Sequence, residues 1–133
     1  MLFRSPVHAP EALAALVRPG GIVVLGELCW RVPPETVRAI SFGIRPGEVL
    51  PRAETIERMT GAGLELVALH EASEAAWERY EGDYAAAIDA WATAHPDDPD
   101  RPAFLERTAF MGESWAAWRR DAMGFVTAVL RRP

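Results

Sequence analysis

Apolar residues follow two rhythms along this chain, a helical three-to-four spacing and short unbroken runs, and their alternation predicts the elements. Leu13, Leu16 and Val17 stand at the i, i+3, i+4 spacing of a buried helical stripe. Pro10 fits the first turn of a helix, so Glu11 to Val17 is predicted helical. Arg18-Pro19-Gly20-Gly21 stops it in a turn, because proline fixes φ and glycine accepts positive φ. Ile22-Val23-Val24-Leu25 is a short apolar, β-branched run, the pattern of a strand covered on both faces. Gly26 to Arg52, with prolines at 33, 34, 46 and 51, reads as loop carrying one short helix from Pro34 to about Phe42. Glu54 to Thr60 is predicted helical, stopped at Gly61-Ala62-Gly63, and Leu64 to Leu69 is the second strand.

The second half is dominated by helix. Ser73 is a good N-cap for a long helix running to about His95, where Pro96 stops it. Trp77, Tyr80, Tyr84, Ile88 and Trp91 form its expected apolar face. After the turn at Asp97-Asp98-Pro99-Asp100, a last helix starts near Pro102, with Phe104, Thr108, Met111, Trp115, Trp118 and Ala122 as its inward stripe. Gly124 opens a third strand, Phe125 to Leu130. The expected layout is one partial domain: an irregular start (1–9), helix-strand-helix-strand (10–71), a helical insert (72–122) and a final strand (123–133).

Composition narrows the function classes. The chain has 133 residues, half of them hydrophobic and a quarter charged, which are globular proportions. A net charge of -5 argues against nucleic acid or an anionic membrane as main partner. Cys29 is the one cysteine, so no internal disulfide framework is expected. No apolar h-region follows Arg4, and no apolar stretch is long enough to cross a bilayer, so a cytoplasmic location is expected. All fourteen basic residues are arginine, and Asn and Gln are absent; with so many Ala, Gly and Pro this reads as genome composition, not function.

Several side chains are candidates for chemistry. Glu27 is expected at the carboxyl end of the first strand, the edge where α/β proteins place ligands; its alternative is a solvated loop carboxylate. Trp30 is either a lid over a pocket or core. The aromatic stripes, Trp77, Tyr80, Trp91, Trp115 and Trp118, read first as packing. Glu74, Glu78 and Glu81 share one helix side and read as a solvated face. His8, His70, His95 and Cys29 lack zinc-ligand spacing, and Ser73 has no nucleophile elbow around it. No metal site is expected.

Leu16-Val17-Arg18-Pro19-Gly20-Gly21 followed by Ile22 to Glu27 resembles the fifth-strand region of class I S-adenosylmethionine-dependent methyltransferases. Thr60-Gly61-Ala62-Gly63-Leu64 is similar to the turn before the sixth strand of that family, and Gly124 to Leu130 to its final strand. A bacterial subgroup of it is resembled by Trp77-Glu78-Arg79-Tyr80-Glu81 with Trp91 and His95-Pro96-Asp97-Asp98-Pro99. Gly26-Glu27-x-x-Trp30 and Trp118-Arg119-Arg120-Asp121-x-x-Gly124 resemble the same subgroup. The departures are Glu78 for Asp and His95 for Asn.

The resemblance implies an α/β fold: the C-terminal part of a Rossmann-like methyltransferase, with a three-stranded mixed sheet whose third strand lies between the first two, and a helical insert capping the substrate side. It implies a small-molecule substrate near Glu27, Trp30, Trp77, Tyr80 and Trp118, and S-adenosylmethionine as cofactor of the intact parent. The cofactor half of that family, a glycine-rich turn after the first strand and an acidic residue ending the second, has no counterpart here. No catalytic or cofactor-binding residue is therefore assigned, and the chain alone is expected to bind cofactor poorly and to be inactive. Leu2-Phe3-Arg4-Ser5 matches what a common sequencing-adapter stretch encodes, so a truncated gene fragment with residues 1–5 foreign to it is one expectation. The rivals are a split enzyme, a stand-alone interaction module using the helical hairpin, and a helical ligand-binding domain. Self-association through the strand edge at 22–25 is expected of the isolated chain.

Overall fold

The first helix, α1 (Ala9–Leu16), starts beside the proline that favours a first turn and turns Leu13, Ala14 and Val17 onto the core. Leu16, expected on that stripe, is 69% exposed, and Ala14 takes the inward position. The structure, a computed structural model, describes residues 9–133. The expectations about residues 1–8, including the foreign 1–5, lie outside the described residues; Ala9, expected in the irregular start, already belongs to α1.

Gly20, at φ 78°, makes the turn into β1 (Ile22–Trp30), a strand of nine residues where four were expected. α2 (Thr36–Ser41), β2 (Leu50–Pro51), α3 (Arg52–Thr60) and β3 (Glu65–Glu71) follow. Gly63, at φ 79°, supplies the left-handed residue between α3 and β3, while Gly61 caps the helix in a right-handed conformation. β4 (Met123–Arg131) closes the chain.

The sheet has four strands, not three, in the order β2-β1-β4-β3. β4 lies between β1 and β3 and runs antiparallel to both, from Ile22↔Arg131 to Trp30↔Met123 on one side and Glu65↔Arg131 to Glu71↔Val126 on the other. β2 is parallel to β1 and pairs only at Cys29↔Leu50 and Trp30↔Pro51. A proline in so short an edge strand removes no needed ladder bond.

The period of two along β1 and β4 sorts the faces. Val23, Leu25 and Cys29 with Val126, Ala128 and Leu130 face Met59 of α3 and the inward residues of α1, forming the core. The opposite face carries Ile22, Val24 and Leu28, all exposed, beside Phe125, Thr127 and Val129. The Phe125 ring lies over Gly26 so closely that a Cβ there would be 2.6 Å from Cζ. The glycine inside this strand therefore marks a close approach.

Contacts divide the chain into two units, and the segment Ser73–Asp121 forms the second. Ser73 caps α4 (Glu74–Ala94), its Oγ accepting from the Ala76 N–H at 3.1 Å, and His95 is the C-cap. α5 (Arg101–Ser114) continues through a π-helical turn at Trp115–Arg119 and the short α6 (Arg120–Ala122), where one continuous helix was expected. Trp91 packs against Phe104 edge-on at 5.1 Å and stacks on His95. Along α4 the half-buried positions are Trp77, Glu81, Tyr84, Ala85, Ile88 and Trp91. Tyr80, expected on that face, is 61% exposed.

Candidate functional site

Trp30 ends β1, with Met123 opposite it on β4 and Pro51 on β2, and it is buried. Beyond it the chain turns through Pro33 and Pro34 into α2 and returns through Pro46 and Gly47. These residues, with Ile44, line a shallow cleft of about 240 Å³ against Trp30. Three prolines fix the rim, and Gly47, at φ 78°, supplies the turn that brings the chain back. The cleft is mainly apolar and open to solvent. Clefts at the carboxyl end of strands are where open α/β sheets bind ligands.

Glu27 does not end its strand. It lies three residues before Trp30, alternating with Leu25 and Cys29 toward the face that α3 covers. Burial raises its carboxyl pKa above the ordinary value, partly offset by the Arg58 guanidinium of α3. Glu27 and Trp30 thus sit on opposite faces of β1. The Cys29 thiol is also pushed up, first by burial and then by the Glu71 carboxylate, with Arg52 and Arg31 opposing. Arg52 Nε donates to Glu71 Oε2 at 2.7 Å, tying α3 to the end of β3.

The other three candidates belong to the second unit. Trp77 stacks on Trp115 at 5.5 Å and 27° and meets Tyr80 edge-on at 6.4 Å. Its Nε1 is buried without a hydrogen-bond partner, an arrangement that costs free energy unless an acceptor arrives. Trp118 is buried in the π-helical turn.

Sequence reasoning missed the strongest polar contact of this unit. Arg119, 2% exposed, donates through Nη1 and Nη2 to both Glu81 oxygens at 2.6 and 3.1 Å. It also donates to Ser114 Oγ at 2.9 Å and the Met111 carbonyl at 2.7 Å, and its guanidinium lies over the Trp115 ring. Glu81 is therefore not part of a solvated face. The available signal was that Glu81, not Tyr80, continues the spacing Trp77, Tyr84, Ile88. Glu74 and Glu78 are exposed as expected, and Glu78 lies 3.6 Å from Arg120 at the surface.

No protein-family model matches the chain. The chain is 27% identical to an S-adenosylmethionine-dependent methyltransferase from Geobacter sulfurreducens, solved with S-adenosyl-L-homocysteine. The TM-score is 0.81, over 92% of this chain and 50% of that one. It is related to the class I S-adenosylmethionine-dependent methyltransferases and spans about half of their length. Among curated proteins it is 27% identical to the uncharacterized protein YjhP of Escherichia coli (strain K12), over 93% of this chain and 51% of that one. The crystal structure of YjhP shares the fold at a TM-score of 0.86, with 23% identity over 98% of this chain and 54% of that one. A methyltransferase from Thiobacillus denitrificans, also solved with S-adenosyl-L-homocysteine, shares the fold at 0.82, with 23% identity over 96% of this chain and 52% of that one.

The described residues do not fit the main cofactor turn of such enzymes. Gly20 and Gly47 lie in turns before β1 and β2, Gly43 follows α2, and Gly63 precedes β3. None follows a strand and opens a helix, where a glycine lets a cofactor approach the backbone. Among the described residues no His, Cys, Asp and Glu cluster is arranged to hold a metal, and no helix is long and apolar enough to cross a membrane.

Proposed function

We propose that this chain is the substrate-side portion of a small-molecule methyltransferase that uses S-adenosylmethionine, and that the main cofactor site lies in the half of the fold it does not span. The match to the Geobacter sulfurreducens enzyme carries this reading, because it covers nearly all of this chain and only half of that one. The glycine pattern supports it, since every positive-φ glycine among the described residues serves a turn or a helix end.

In this reading Trp30 is the leading substrate contact of the first unit, at the strand end beside the apolar cleft. Trp77, Tyr80 and Trp118 are the contacts proposed for the helical insert, and Trp77 Nε1 is a donor in search of an acceptor. Glu27 is the remaining candidate, a half-buried carboxylate on the α3-covered face of β1, opposite Trp30. The test joins the chain to the unmatched half of the Geobacter sulfurreducens enzyme and assays methyl transfer to a panel of small nucleophiles. Turnover that falls on Trp30→Ala with the fold retained supports the assignment. Turnover indifferent to Trp30, Trp77 and Trp118 alike would remove the substrate role.

A further inference from the structure

Gly124, in β4, is a second strand glycine where a side chain has no room. A Cβ there would lie 2.9 Å from Arg31 Cγ, 3.4 Å from Arg31 Cδ and 3.1 Å from Cys29 Sγ. Gly124 is the β4 partner of Cys29, and Arg31, two residues on, lays its stem across the same point of the β4 backbone. Glycine within a strand marks such an approach. The Arg31 N–H donates to the Ala122 carbonyl at 2.8 Å, which holds the residue one step beyond the end of β1. Backbone and stem are thus both placed by β4. The residue is exposed, and its guanidinium has no carboxylate or carbonyl partner among the described residues.

Two more charged groups share this end of the sheet. β1, β2 and β3 run in one direction, since β2 is parallel to β1, and β4 is antiparallel to both β1 and β3. Arg31 follows the last residue of β1, Arg52 follows the last residue of β2, and Glu71 is the last residue of β3. Arg52 gives its Nε to Glu71 Oε2 at 2.7 Å, and its Nη groups have no protein acceptor among the described residues. All three act electrostatically on the buried Cys29 thiol, two cations against one anion, so the charge gathered around that sulfur is +1. Open α/β sheets bind ligands outside the carboxyl ends of their strands, which is where this charge sits.

We propose that Arg31 and the Nη groups of Arg52 form an anion subsite at the carboxyl ends of β1 and β2, and that it takes the oxyanion group, carboxylate or phosphate, of the small-molecule substrate. The identity of the ligand rests on the proposed function, which supplies a substrate at this end of the sheet. One oxyanion neutralises the cluster, and a planar guanidinium offers it paired N–H donors. Arg31 is the leading group of the two, because Arg52 already shares its charge with Glu71. Holding the Arg31 stem over Gly124 removes rotamer freedom before the ligand arrives, so less entropy is lost on binding.

Heteronuclear NMR of residues 1–133 tests it, with benzoate, phenyl phosphate and neutral benzyl alcohol titrated at constant ionic strength. The Arg31 and Arg52 side-chain N–H signals and the Gly124 amide are expected to shift saturably, in the millimolar range, with at least one of the two anions and not with benzyl alcohol. The anion that saturates at the lower concentration tells carboxylate from phosphate. Arg31→Met keeps an unbranched stem over Gly124 and should weaken that binding by about tenfold or more, with the far-UV spectrum unchanged. Arg18→Gln, at the other end of β1, removes the same charge and should leave the affinity within about twofold. No saturation with either anion, an equal response to benzyl alcohol, an undiminished affinity in Arg31→Met, or an equal loss in Arg18→Gln would overturn the proposal. Should Arg31→Met not fold, the signals of the unsubstituted chain decide it. The chain joined to the unmatched half of the Geobacter sulfurreducens enzyme separates the two ideas. Anion binding at Arg31 without methyl transfer to any acceptor keeps the subsite and sinks the functional reading; transfer to neutral acceptors with no anion response at Arg31 does the reverse.

Discussion

Replacing Arg119 by methionine removes a cation and leaves its partners in place. Glu81 would keep a carboxylate that is 11% exposed and has lost both of its guanidinium donors. Ser114 Oγ and the Met111 carbonyl would lose a donor as well. Breaking a buried pair from one side costs about 3–5 kcal/mol, because the remaining charge is uncompensated. At roughly 4 °C per kcal/mol for a chain of this size, the melting temperature falls by about 12–20 °C. Urea unfolding followed by far-UV circular dichroism, at low protein concentration, measures the loss. The double variant Glu81→Leu/Arg119→Met replaces the pair with apolar groups and is expected within about 2 kcal/mol of the unsubstituted chain. The cycle should show a coupling of about 2–3 kcal/mol. A loss below about 1 kcal/mol for Arg119→Met, or a coupling near zero, would refute the view that this pair anchors the π-helical turn to α4.

Ser73→Ala removes the cap at Ala76 N–H and should cost about 1 kcal/mol, read as a lower urea midpoint with unchanged slope. Glu27→Gln tests the raised carboxyl pKa. A raised folded-state pKa means the folded chain binds more protons, so Glu27 makes stability fall as pH rises from the ordinary carboxylate value through the folded one. The Gln variant should lose that slope and be the more stable at neutral pH; an unchanged pH profile would refute the burial effect. Cys29 is fully buried with its thiol pKa pushed up, so it should react with a thiol reagent only on unfolding. Rapid reaction in the folded chain would contradict its placement.

Local chemistry explains which elements were legible. Ser73, Pro96 and the Gly20 and Gly63 turns act within a few residues of where they stand, so α4 and the starts of β1 and β3 could be read directly. The apolar run alone ends at Leu25, because Gly26 and Glu27 break it, although β1 continues to Trp30. The ring of Phe125, about a hundred residues away in sequence, is what fills the space beside Gly26. β2 has no pattern to find, being two residues long with a proline. Arg119 and Glu81 are 38 positions apart, and only the fold joins them. Of the candidate residues, Trp30 falls in a loop by its sequence pattern but ends β1, Tyr80 lies off the apolar face its spacing suggests, and the facing of Glu27 required the true strand length.

We have proposed that this chain is the substrate-side part of a methyltransferase whose main cofactor site lies in the half it does not span. Calorimetric titration of purified residues 1–133 with S-adenosyl-L-homocysteine tests it most directly. The account predicts no saturable heat, because no glycine turn among the described residues follows a strand into a helix. Saturable binding in the low-micromolar range by the chain alone would contradict it.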